Sequence, residues 1–542
     1  MTSDILFKNG KFWTGNPRNQ PANFLTCKDG FITAIGEGNA PSQAPGSRQT
    51  IDLDGHFVMP GFIDSHTHFR LGGASLRQVN LREAANESEF SESVRLYAAS
   101  QRPGQWIVGG NWDHEAWDSK SLPTKELIDH FTPSTPVLLN RYDTHMALVN
   151  SLVLRLAGFD RNTPDPPGGI IVRDESGEPT GILKDAAREI ALKLIPEPSF
   201  DDLIDDARMA MKHARSLGVT SIHEIGTGPD LAAYVRLNEL GELTARIYHI
   251  LPLSSILKLT EYCTAVPPGD NFIRIGALKA FADGSLGAGT AWFFDPYDDN
   301  KSNCGLPSDA LSSGKLEEWA VEADENHFQL AIHAIGDRAV NGVLDIFERI
   351  QRVNPPWDRR FRIEHAQHVR PQDFSRIKRL NVIASVQPYH CIDDGRWAVR
   401  KIGERRAGTT YAFKTMLNEN IPLAFGTDWP VAPLNPIEGI YAAVSRQTVD
   451  GKNPEGWVPE QKISVEQALR AYTTGGALAS YSENEKGTLE PGKVADLVVL
   501  SDNPLLVPCE ELKNIKVLMT VVGGKIVFAA DKFSEYYDHA SI

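Results

Sequence analysis

The segment VMPGFIDSHTH, residues 58–68, decides the fold that this sequence predicts. Its first half contains a short apolar strand candidate, Met59–Ile63, and its second half turns polar and carries His66 and His68. In an extended strand, residues two apart point to the same face, so both imidazoles can reach one ion. A buried strand that ends in polar residues is typical of a parallel βα barrel, whose chemistry lies at the carboxyl ends of the strands.

The middle of the chain repeats this pattern. Further short apolar strand candidates are Thr220–His223, Ile273–Ala280, Gln329–His333, Phe361–His365, Val382–Val386 and Pro422–Phe425. Helical patterns lie between strands, such as Asp201–Leu217 and Arg338–Val353, and this alternation predicts an α/β fold, a (β/α)8 TIM barrel over 59–486. Residues 71–215 are too long for one crossover and predict an inserted subdomain. Its Trp106, Trp112 and Trp117 suit either a cap over a site or the subdomain's own core.

Both ends of the chain are rich in β-strand patterns. Asx-Gly pairs predict three hairpins, and the C-terminal end adds two strand-like segments; these are Ile5–Trp13, Phe24–Ile35, Gln49–Val58, Val494–Leu500 and Val517–Phe528. The last of these segments is broken at Gly523-Gly524. Two β-rich ends around a different middle predict a small composite β-sandwich domain built from 1–58 and 487–542.

Composition excludes several classes of protein. The 542 residues carry 55 Lys and Arg against 70 Asp and Glu, a net charge of −15, which disfavours nucleic acid and anionic membranes as partners. The sequence has no apolar run of about 18 residues, so no transmembrane helix is expected. Five widely spaced cysteines predict neither a disulfide framework nor a cysteine metal site. The default expectation is a soluble cytoplasmic protein that acts on a small molecule.

Polar residues end several of the strand candidates. His333 ends one, Glu364-His365 ends the next, and Asp428 follows another through Gly426-Thr427. A single buried histidine is more often a hydrogen-bonded core residue than a ligand. Histidines at three strand ends and an aspartate at a fourth instead favour a metal site, and neutral imidazoles with a carboxylate suit zinc or a similar ion.

At this point the sequence resembles a known family. The segments VMPGFIDSHTH and GTLEPGKVADLVVLSDNP resemble the amidohydrolase superfamily. Within it, NWDHEAW, RYDTHMALVNS, ALKAFADGSLGAGTA, AIHAIGDRAV, RIEHAQHV and FGTDWPV resemble the amidohydrolase-3 (YtcJ-like) family, which includes N-substituted formamide deformylase. The resemblance covers residues 5–528 approximately. It implies a distorted barrel with a composite β-sandwich.

The resemblance also implies roles for individual residues. His66 and His68 would bind the more buried metal ion, and His333 and His365 the other ion or the substrate side. Asp428 would be a metal ligand and the general base, and Lys279 would carry a carbamate that bridges two ions. One or two divalent ions, Zn first among them, are therefore expected.

Lys279 would lie close to the expected metal ions, which limits its charge state. A free ammonium beside two cations is strongly repelled at interior dielectric, so this lysine would have to be neutral or modified. The alternative is an ordinary lysine paired with Asp283 or another carboxylate, which would leave a single metal ion.

Several other residues are candidates for contacts with substrate. These are His145, Trp112, Asp113 and His223, the last at the end of what is counted as the third strand. Tyr389, His390 and Trp429 would line an apolar pocket or pack in the core.

The predicted function is metal-dependent amidohydrolysis. Metal-activated water, with Asp428 as general base, would cleave the C–N bond of an amide, formamide, carbamate or cyclic imide in a small, apolar or aromatic substrate. The alternatives are ester hydrolysis, isomerisation or decarboxylation on the same scaffold, and a non-catalytic binding protein. The resemblance also makes a homodimer the expected assembly.

Overall fold

The structure is a computed structural model that describes residues 4–18, 21–38, 49–101, 104–114, 117–141, 146–167, 169–266 and 270–536. It contains two compact units. One comprises Met1–Gly72 and Ala210–Ile542, and the other comprises Gly73–Met209. The sequence predicts an inserted subdomain over about 71–215. A division of the first unit at residues 58 and 487 stays a prediction. None of the helices in the described part of the chain has the length and apolar composition that crossing a membrane requires.

Six strands precede the barrel: β1 (Ile5–Lys8), β2 (Lys11–Phe12), β3 (Phe24–Lys28), β4 (Phe31–Gly36), β5 (Gln49–Asp52) and β6 (Phe57–Pro60). The predicted hairpin at Asp29-Gly30 is confirmed, since β3 and β4 pair antiparallel and both turn residues have positive φ, 50° and 85°. The other two predicted hairpins are wrong. Strand β1 pairs in parallel with β5, and β2 pairs in parallel with β6. The turns at Asn9-Gly10 and Asp54-Gly55 therefore carry the chain from one sheet into another.

The barrel begins one residue after β6. Strand β7 (Phe62–Thr67) and helix α1 (Phe69–Leu76) follow Gly61, so the predicted strand Met59–Ile63 is two strands that meet at this glycine. A Cβ atom on residue 61 would lie 2.2 Å from the Thr220 hydroxyl oxygen, and glycine is therefore required where the sheet passes into the barrel.

The unit Gly73–Met209 has a sheet and a core of its own. Its six strands lie in the order β12-β13-β11-β10-β9-β8. They are β8 (Val79–Asn80), β9 (Ile107–Trp112), β10 (Val137–Arg141), β11 (Met146–Val149), β12 (Gly169–Arg173) and β13 (Pro179–Asp185), with helices α2 (Glu87–Ser100), α3 (Glu126–Asp129), α4 (Ser151–Ala157) and α5 (Ala186–Leu192). Trp112 and Trp117 are buried together with Phe90, and Trp106 is partly buried against a second cluster. The tryptophans thus contribute to the unit's own core.

Removing the Trp112 side chain is expected to destabilise this unit. The ring is fully buried, and its indole N–H donates to the Leu139 carbonyl at 2.8 Å. Trp112→Ala should therefore lower the free energy of unfolding by about 3–5 kcal/mol, measured by chemical denaturation. Trp106→Ala is the matched control, because its ring is only partly buried and should cost less. Equal losses for the two variants would contradict this account of the core.

The second part of the barrel follows helix α6 (Phe200–Ser216). Seven strands complete it: β14 (Val219–Ile225), β15 (Arg246–Pro252), β16 (Ile273–Phe281), β17 (Gln329–Ala334), β18 (Arg362–His365), β19 (Ile383–Val386) and β20 (Leu423–Phe425). The eight strands run parallel in the order β20-β19-β18-β17-β16-β15-β14-β7 and form a nearly closed barrel. The predicted fold class is confirmed.

Helices follow the barrel strands and cover them. They are α7 (Gly228–Glu239), α8 (Leu259–Ala265), α9 (Asp309–Ser312), α10 (Lys315–Glu325), α11 (Asp337–Val353), α12 (Pro371–Arg379), α13 (Pro388–Asp394), α14 (Ala398–Ala407), α15 (Phe413–Asn418), α16 (Pro436–Ser445), α17 (Val465–Arg470) and α18 (Gly476–Ala479). The two predicted helices correspond to α6 and α11. Both are amphipathic, and the apolar face of α11 is buried.

Three C-terminal strands complete the small sheets: β21 (Leu497–Leu500), β22 (Val517–Val522) and β23 (Lys525–Ala529). They extend the sheet β2-β6-β21-β22-β23, which is built from both ends of the chain as predicted. The break at Gly523-Gly524 is the turn between β22 and β23. Phe7 and Ile51 from the first sheet share one core with Val499 and Met519 from the second.

Candidate metal centre

His66 lies at the end of β7 with one ring nitrogen engaged and the other available. Its Nδ1 is hydrogen-bonded to the Glu364 carboxylate, which accepts the proton, so Nε2 keeps a lone pair. Among the described residues this buried Nε2 has no hydrogen-bond partner. A carboxylate that holds a histidine in this tautomer is the usual outer partner of a metal-binding imidazole.

Asp428 faces the two histidines of β7. Its Oδ1 lies 3.4 Å from His66 Nε2 and 3.5 Å from His68 Nε2. Burial alone would raise the pKa of this carboxyl, but the neighbouring imidazoles, His66 first, hold the pKa well below its usual value. The carboxylate is therefore ionised.

The backbone around Asp428 is fixed by contacts with β7. The Asp428 N–H donates to the His66 carbonyl at 2.7 Å, and φ of Asp428 is 61°, in the left-handed region. Asp64 accepts hydrogen bonds from the Thr427 hydroxyl at 2.6 Å and from the Thr427 N–H at 3.0 Å. Asp64 thus ties the loop after β20 to β7. Non-glycine residues with a left-handed backbone, such as Asp428, are concentrated at functional sites.

The three ligand atoms fit a small divalent cation. Four ligands at 2.0–2.1 Å in a tetrahedron lie about 3.3–3.4 Å apart, close to the separations of Asp428 Oδ1 from both imidazoles. Burial lowers the pKa of His68 to about 4, so its ring is neutral and can coordinate. His66, His68 and Asp428 form a metal-binding site.

A second group of possible ligands lies on the other side of Asp428. His365, His390 and Asp428 offer atoms that all lie within 4.8 Å of one another. The His365 Nδ1–H donates to the Gln387 side-chain oxygen at 2.8 Å, which leaves its Nε2 lone pair available. From the sequence, His390 was predicted to line an apolar pocket or to pack in the core, and not to bind a metal. A polar residue close after a strand end, in VQPYH, was the signal that could have identified it.

His333 lines the same cavity but has another partner. Its Nε2 lies 3.1 Å from the Gly284 carbonyl oxygen and 3.5 Å from Asp283 Oδ1. Burial lowers its pKa to about 3, so the ring is neutral. Neither of the two groups of possible ligands among the described residues includes His333. Its role as a ligand stays a prediction.

Lys279 ends the fourth barrel strand and also lines the cavity. Burial lowers its pKa to about 8, and its Nζ lies 5.0 Å from the centre of the Phe281 ring. The alternative pairing with Asp283 is not what the structure shows. Asp283 instead accepts the backbone N–H groups of Trp292, Ile335 and Gly336. Carbamylation of Lys279 stays a prediction.

A buried ion pair that was not predicted from the sequence supports His66. Glu364 Oε1 accepts from Arg362 Nε at 2.7 Å, and both side chains are fully buried. Burial would raise the pKa of Glu364, but Arg362 and His66 hold it well below its usual value. Arg362 also donates to the Ser65 carbonyl at 2.6 Å, so it ties β18 to β7. Alternating charged residues in RIEH, a strand that should be apolar, were the signal.

The predicted substrate contacts lie in different places. His145 lies outside the described residues. Trp112 is in the core described above, and Asp113 accepts from Arg141 at 3.2 Å in the same unit. His223 is on the second barrel strand rather than the third, fully buried, with Nδ1 accepting from Arg362 at 3.0 Å. Trp112 and His223 are fully buried, and contacts of Trp112, Asp113 and His223 with a substrate stay predictions.

A cavity of about 360 Å³ opens beside these groups, within one compact unit. Its polar lining includes His66, His68, Lys279, His333, His365, His390, Asp393, Asp394 and Asp428. Its apolar and aromatic lining comprises Phe281, Leu286, Ile335, Tyr389, Trp397, Val431 and Ala432. Trp429, in contrast, is buried against Phe69, with ring centres 5.8 Å apart.

Comparison with known proteins extends these observations. A family model described as "Amidohydrolase family" matches residues 49–528. Protein LONG AFTER FAR-RED 3 of Arabidopsis thaliana is 36% identical over 97% of this chain and 92% of its own length. The putative amidohydrolase YtcJ of Bacillus subtilis is 31% identical over 96% and 99%. N-substituted formamide deformylase of Arthrobacter pascens is 27% identical over 96% and 97%.

A solved structure is similar throughout. The crystal structure of an uncharacterized metal-dependent hydrolase from Pyrococcus furiosus matches with a TM-score of 0.77 and 32% identity. The match covers 92% of this chain and 99% of the other. The comparisons and the site geometry thus agree with the resemblance in the sequence motifs.

Proposed function

This chain belongs to the amidohydrolase family, and from that membership we propose that it hydrolyses a carbon–nitrogen bond of a small, apolar or aromatic molecule. The protein is a metal-dependent hydrolase of the amidohydrolase superfamily. The bond that it cleaves is the proposal. Its similarity over 96% of the chain to a protein named N-substituted formamide deformylase supports an amide or formamide bond.

One observation carries the proposal: the Asp428 carboxylate lies close to the imidazoles of His66 and His68 at the wall of a cavity. Both imidazoles can coordinate a metal ion in their neutral form. A divalent cation held by His66, His68 and Asp428 would act as a Lewis acid and lower the pKa of water to near 7. Zinc fits this donor set of imidazole nitrogen and carboxylate oxygen.

Asp428 is the group that would move the proton. Its Oδ1 faces the imidazoles and its Oδ2 faces the cavity side near His390. An ionised carboxylate in this position can accept the proton of the attacking water and deliver it to the leaving nitrogen, so that an amine leaves instead of an amide anion. Asp64 and Thr427 hold the loop that aims this carboxylate.

The cavity wall supports an apolar substrate. Phe281, Val431 and Trp397 lie around the opening, and Phe281 and Val431 are 49% and 71% exposed. Exposed apolar side chains grouped at a cavity are typical of a surface that binds an apolar ligand. Tyr389 adds an aromatic face, and a substituent on the acyl or amine side would pack against these rings.

Activity is expected to depend on a bound metal and to be greatest on amides. Chelator-treated protein should lose at least about 99% of its hydrolysis of an N-aryl formamide or acetamide, and added Zn²⁺ should restore it. The measurement is the amount of amine released over time, determined by chromatography. Matched aryl esters and a keto-acid are the controls. If the ester or the keto-acid were turned over faster than the amide, ester hydrolysis or the keto-acid reaction would replace amide hydrolysis as the proposed activity. If none of these compounds were turned over, hydrolysis of this substrate class would be contradicted.

A further inference from the structure

We propose that Gln367 is a specificity-determining residue of this cavity and that its side-chain oxygen accepts an N–H of the substrate. This inference deepens the proposed function, on which it rests, because it concerns the substrate of the same cavity. It narrows the substrate class to molecules with an N–H at the scissile bond, such as secondary amides. Esters and N,N-disubstituted amides lack that donor.

The Gln367 side chain is buried at the wall of the cavity and carries an acceptor oxygen there. The residue is 4% exposed and belongs to the cavity lining. Within the part of the chain that the structure describes, its Oε1 has no hydrogen-bond partner. A buried acceptor without a donor costs free energy, and a ligand N–H placed against it would recover that cost. The side-chain oxygen of a glutamine accepts such a proton and cannot donate one.

The backbone around Gln367 is held by contacts that do not involve its side-chain oxygen. The Gln367 carbonyl accepts from the Tyr411 N–H at 2.8 Å. Just before it, His365 and Ala366 have left-handed φ values of 74° and 42°. Non-glycine residues keep such a backbone only where their surroundings enforce it, and they are concentrated at functional sites. The loop after β18 therefore fixes the position of Gln367 and leaves its amide to a ligand.

Gln367 also lies on the side of the barrel toward which a bound amide would turn its nitrogen. Strand β18 is three strands from β7, counted through β20 and β19, so its loop faces the end of β7 across the barrel. The ring centres of His66 and His365 are 4.8 Å apart across this gap. In a planar trans amide the C=O and N–H bonds point in opposite directions. A carbonyl oxygen turned toward His66 and His68 would thus turn the N–H toward the β18 side.

Other acceptors at the cavity wall already have donors of their own. Asp394 accepts from the Tyr411 hydroxyl at 2.6 Å, and Asp393 accepts from Arg396. Gln367 is the only carboxamide among the described residues that line the cavity. A site that hydrogen-bonds a substrate N–H rejects an analogue without it more strongly than an apolar pocket rejects a missing methylene. An ester would bring lone pairs against Oε1, and an N-methyl amide would bring a methyl group.

Kinetics of one amide and its analogues on Gln367 variants test the assignment. An N-aryl acetamide, the matching aryl acetate and the N-methyl amide are assayed with the wild type, Gln367→Leu, Gln367→Met and the cavity control Tyr389→Phe. The readout is the ratio of kcat/KM for the secondary amide to kcat/KM for the ester, because the intrinsic reactivities cancel when variants are compared. We expect this ratio to fall by at least about 10-fold in both Gln367 variants. Turnover of the ester and the N-methyl amide, and the ratio in Tyr389→Phe, should change by less than about threefold.

Thermal midpoints separate a contact with substrate from a structural role. Because Oε1 has no partner in the described part of the chain, Gln367→Leu should keep or raise the thermal midpoint, whereas loss of a structural amide would lower it. An unchanged amide-to-ester ratio, including an equal loss on all three substrates with a lowered midpoint, would overturn the inference. Amide hydrolysis by the wild type would then leave the proposed function standing. If the wild type hydrolysed neither amide, the proposed function would fail, and the inference with it.

Discussion

Replacing Asp428 by asparagine is expected to lower kcat/KM for an amide substrate by at least about 10³-fold, because the variant loses a proton acceptor and a charged ligand together. The amide keeps the size of the side chain, and the loop contacts of Thr427 with Asp64 remain. Folding should therefore be retained while the chemistry fails. Initial rates over a range of substrate concentrations, with excess metal present, separate a fall in kcat from a change in KM.

The matched control for this variant is Asp393→Asn. Asp393 is another carboxylate at the cavity, but its partner is the guanidinium of Arg396 in the turn that follows α13. Its loss should lower kcat/KM by less than about 10²-fold. If Asp428→Asn retained more than a tenth of the wild-type kcat at saturating metal, Asp428 would not be the general base. A rise in KM alone would give it a role in binding.

Much of the barrel could be predicted because its strands have the composition that burial on both faces demands. Strand β15, Arg246–Pro252, was missed because Arg246 and His249 interrupt its apolar pattern. The structure shows why they are tolerated. Arg246 pairs with Asp496 at 2.7 Å, and the His249 Nε2–H donates to the Thr227 carbonyl oxygen at 3.2 Å. Partners so distant in sequence leave no local signal.

The same limit applies to the terminal sheets. Asn9 and Asp54 of the Asx-Gly pairs do have positive φ, with values of 56° and 47°. A turn fixes the backbone of a few residues but does not fix which strands pair afterwards. The apolar residues of β1 and β2 enter one core from two sheets, so burial of the shared core decides the pairing.

In the candidate site, ligands at strand ends were accessible to sequence reasoning, whereas the groups that orient them were not. His66, His68 and Asp428 lie at the ends of apolar strands or a few residues after them, and this position alone indicates them. Glu364 lies beside His365 in the sequence, but its hydrogen-bond partner His66 is 298 residues away. Only the alternation of Arg362 and Glu364 within a buried strand could have indicated a paired charge.

Replacing Glu364 by glutamine is expected to reduce both metal affinity and stability. The variant keeps the side-chain size but removes the charge that faces His66 and Arg362. Loss of an outer carboxylate partner weakens metal binding by about 10–100-fold. The buried Arg362 is then left without its counter-charge, which costs about 3–5 kcal/mol of unfolding free energy. Competition with a fluorescent chelator measures the first effect, and denaturant titration of metal-free protein measures the second.

Two further variants separate these effects, because Glu364 has two partners with different tasks. Arg362→Met leaves the hydrogen bond of Glu364 to His66 in place, so it should lose stability while keeping metal affinity nearer to the wild type.

The double variant Arg362→Met/Glu364→Leu removes both buried charges and should recover part of the stability lost by Glu364→Gln, since an apolar pair of similar volume often replaces a buried ion pair at little cost. Its metal affinity should stay low, because His66 Nδ1 has lost its acceptor. If affinity recovered together with stability, Glu364 would act only through Arg362, and the orientation of His66 would depend on packing rather than on this carboxylate.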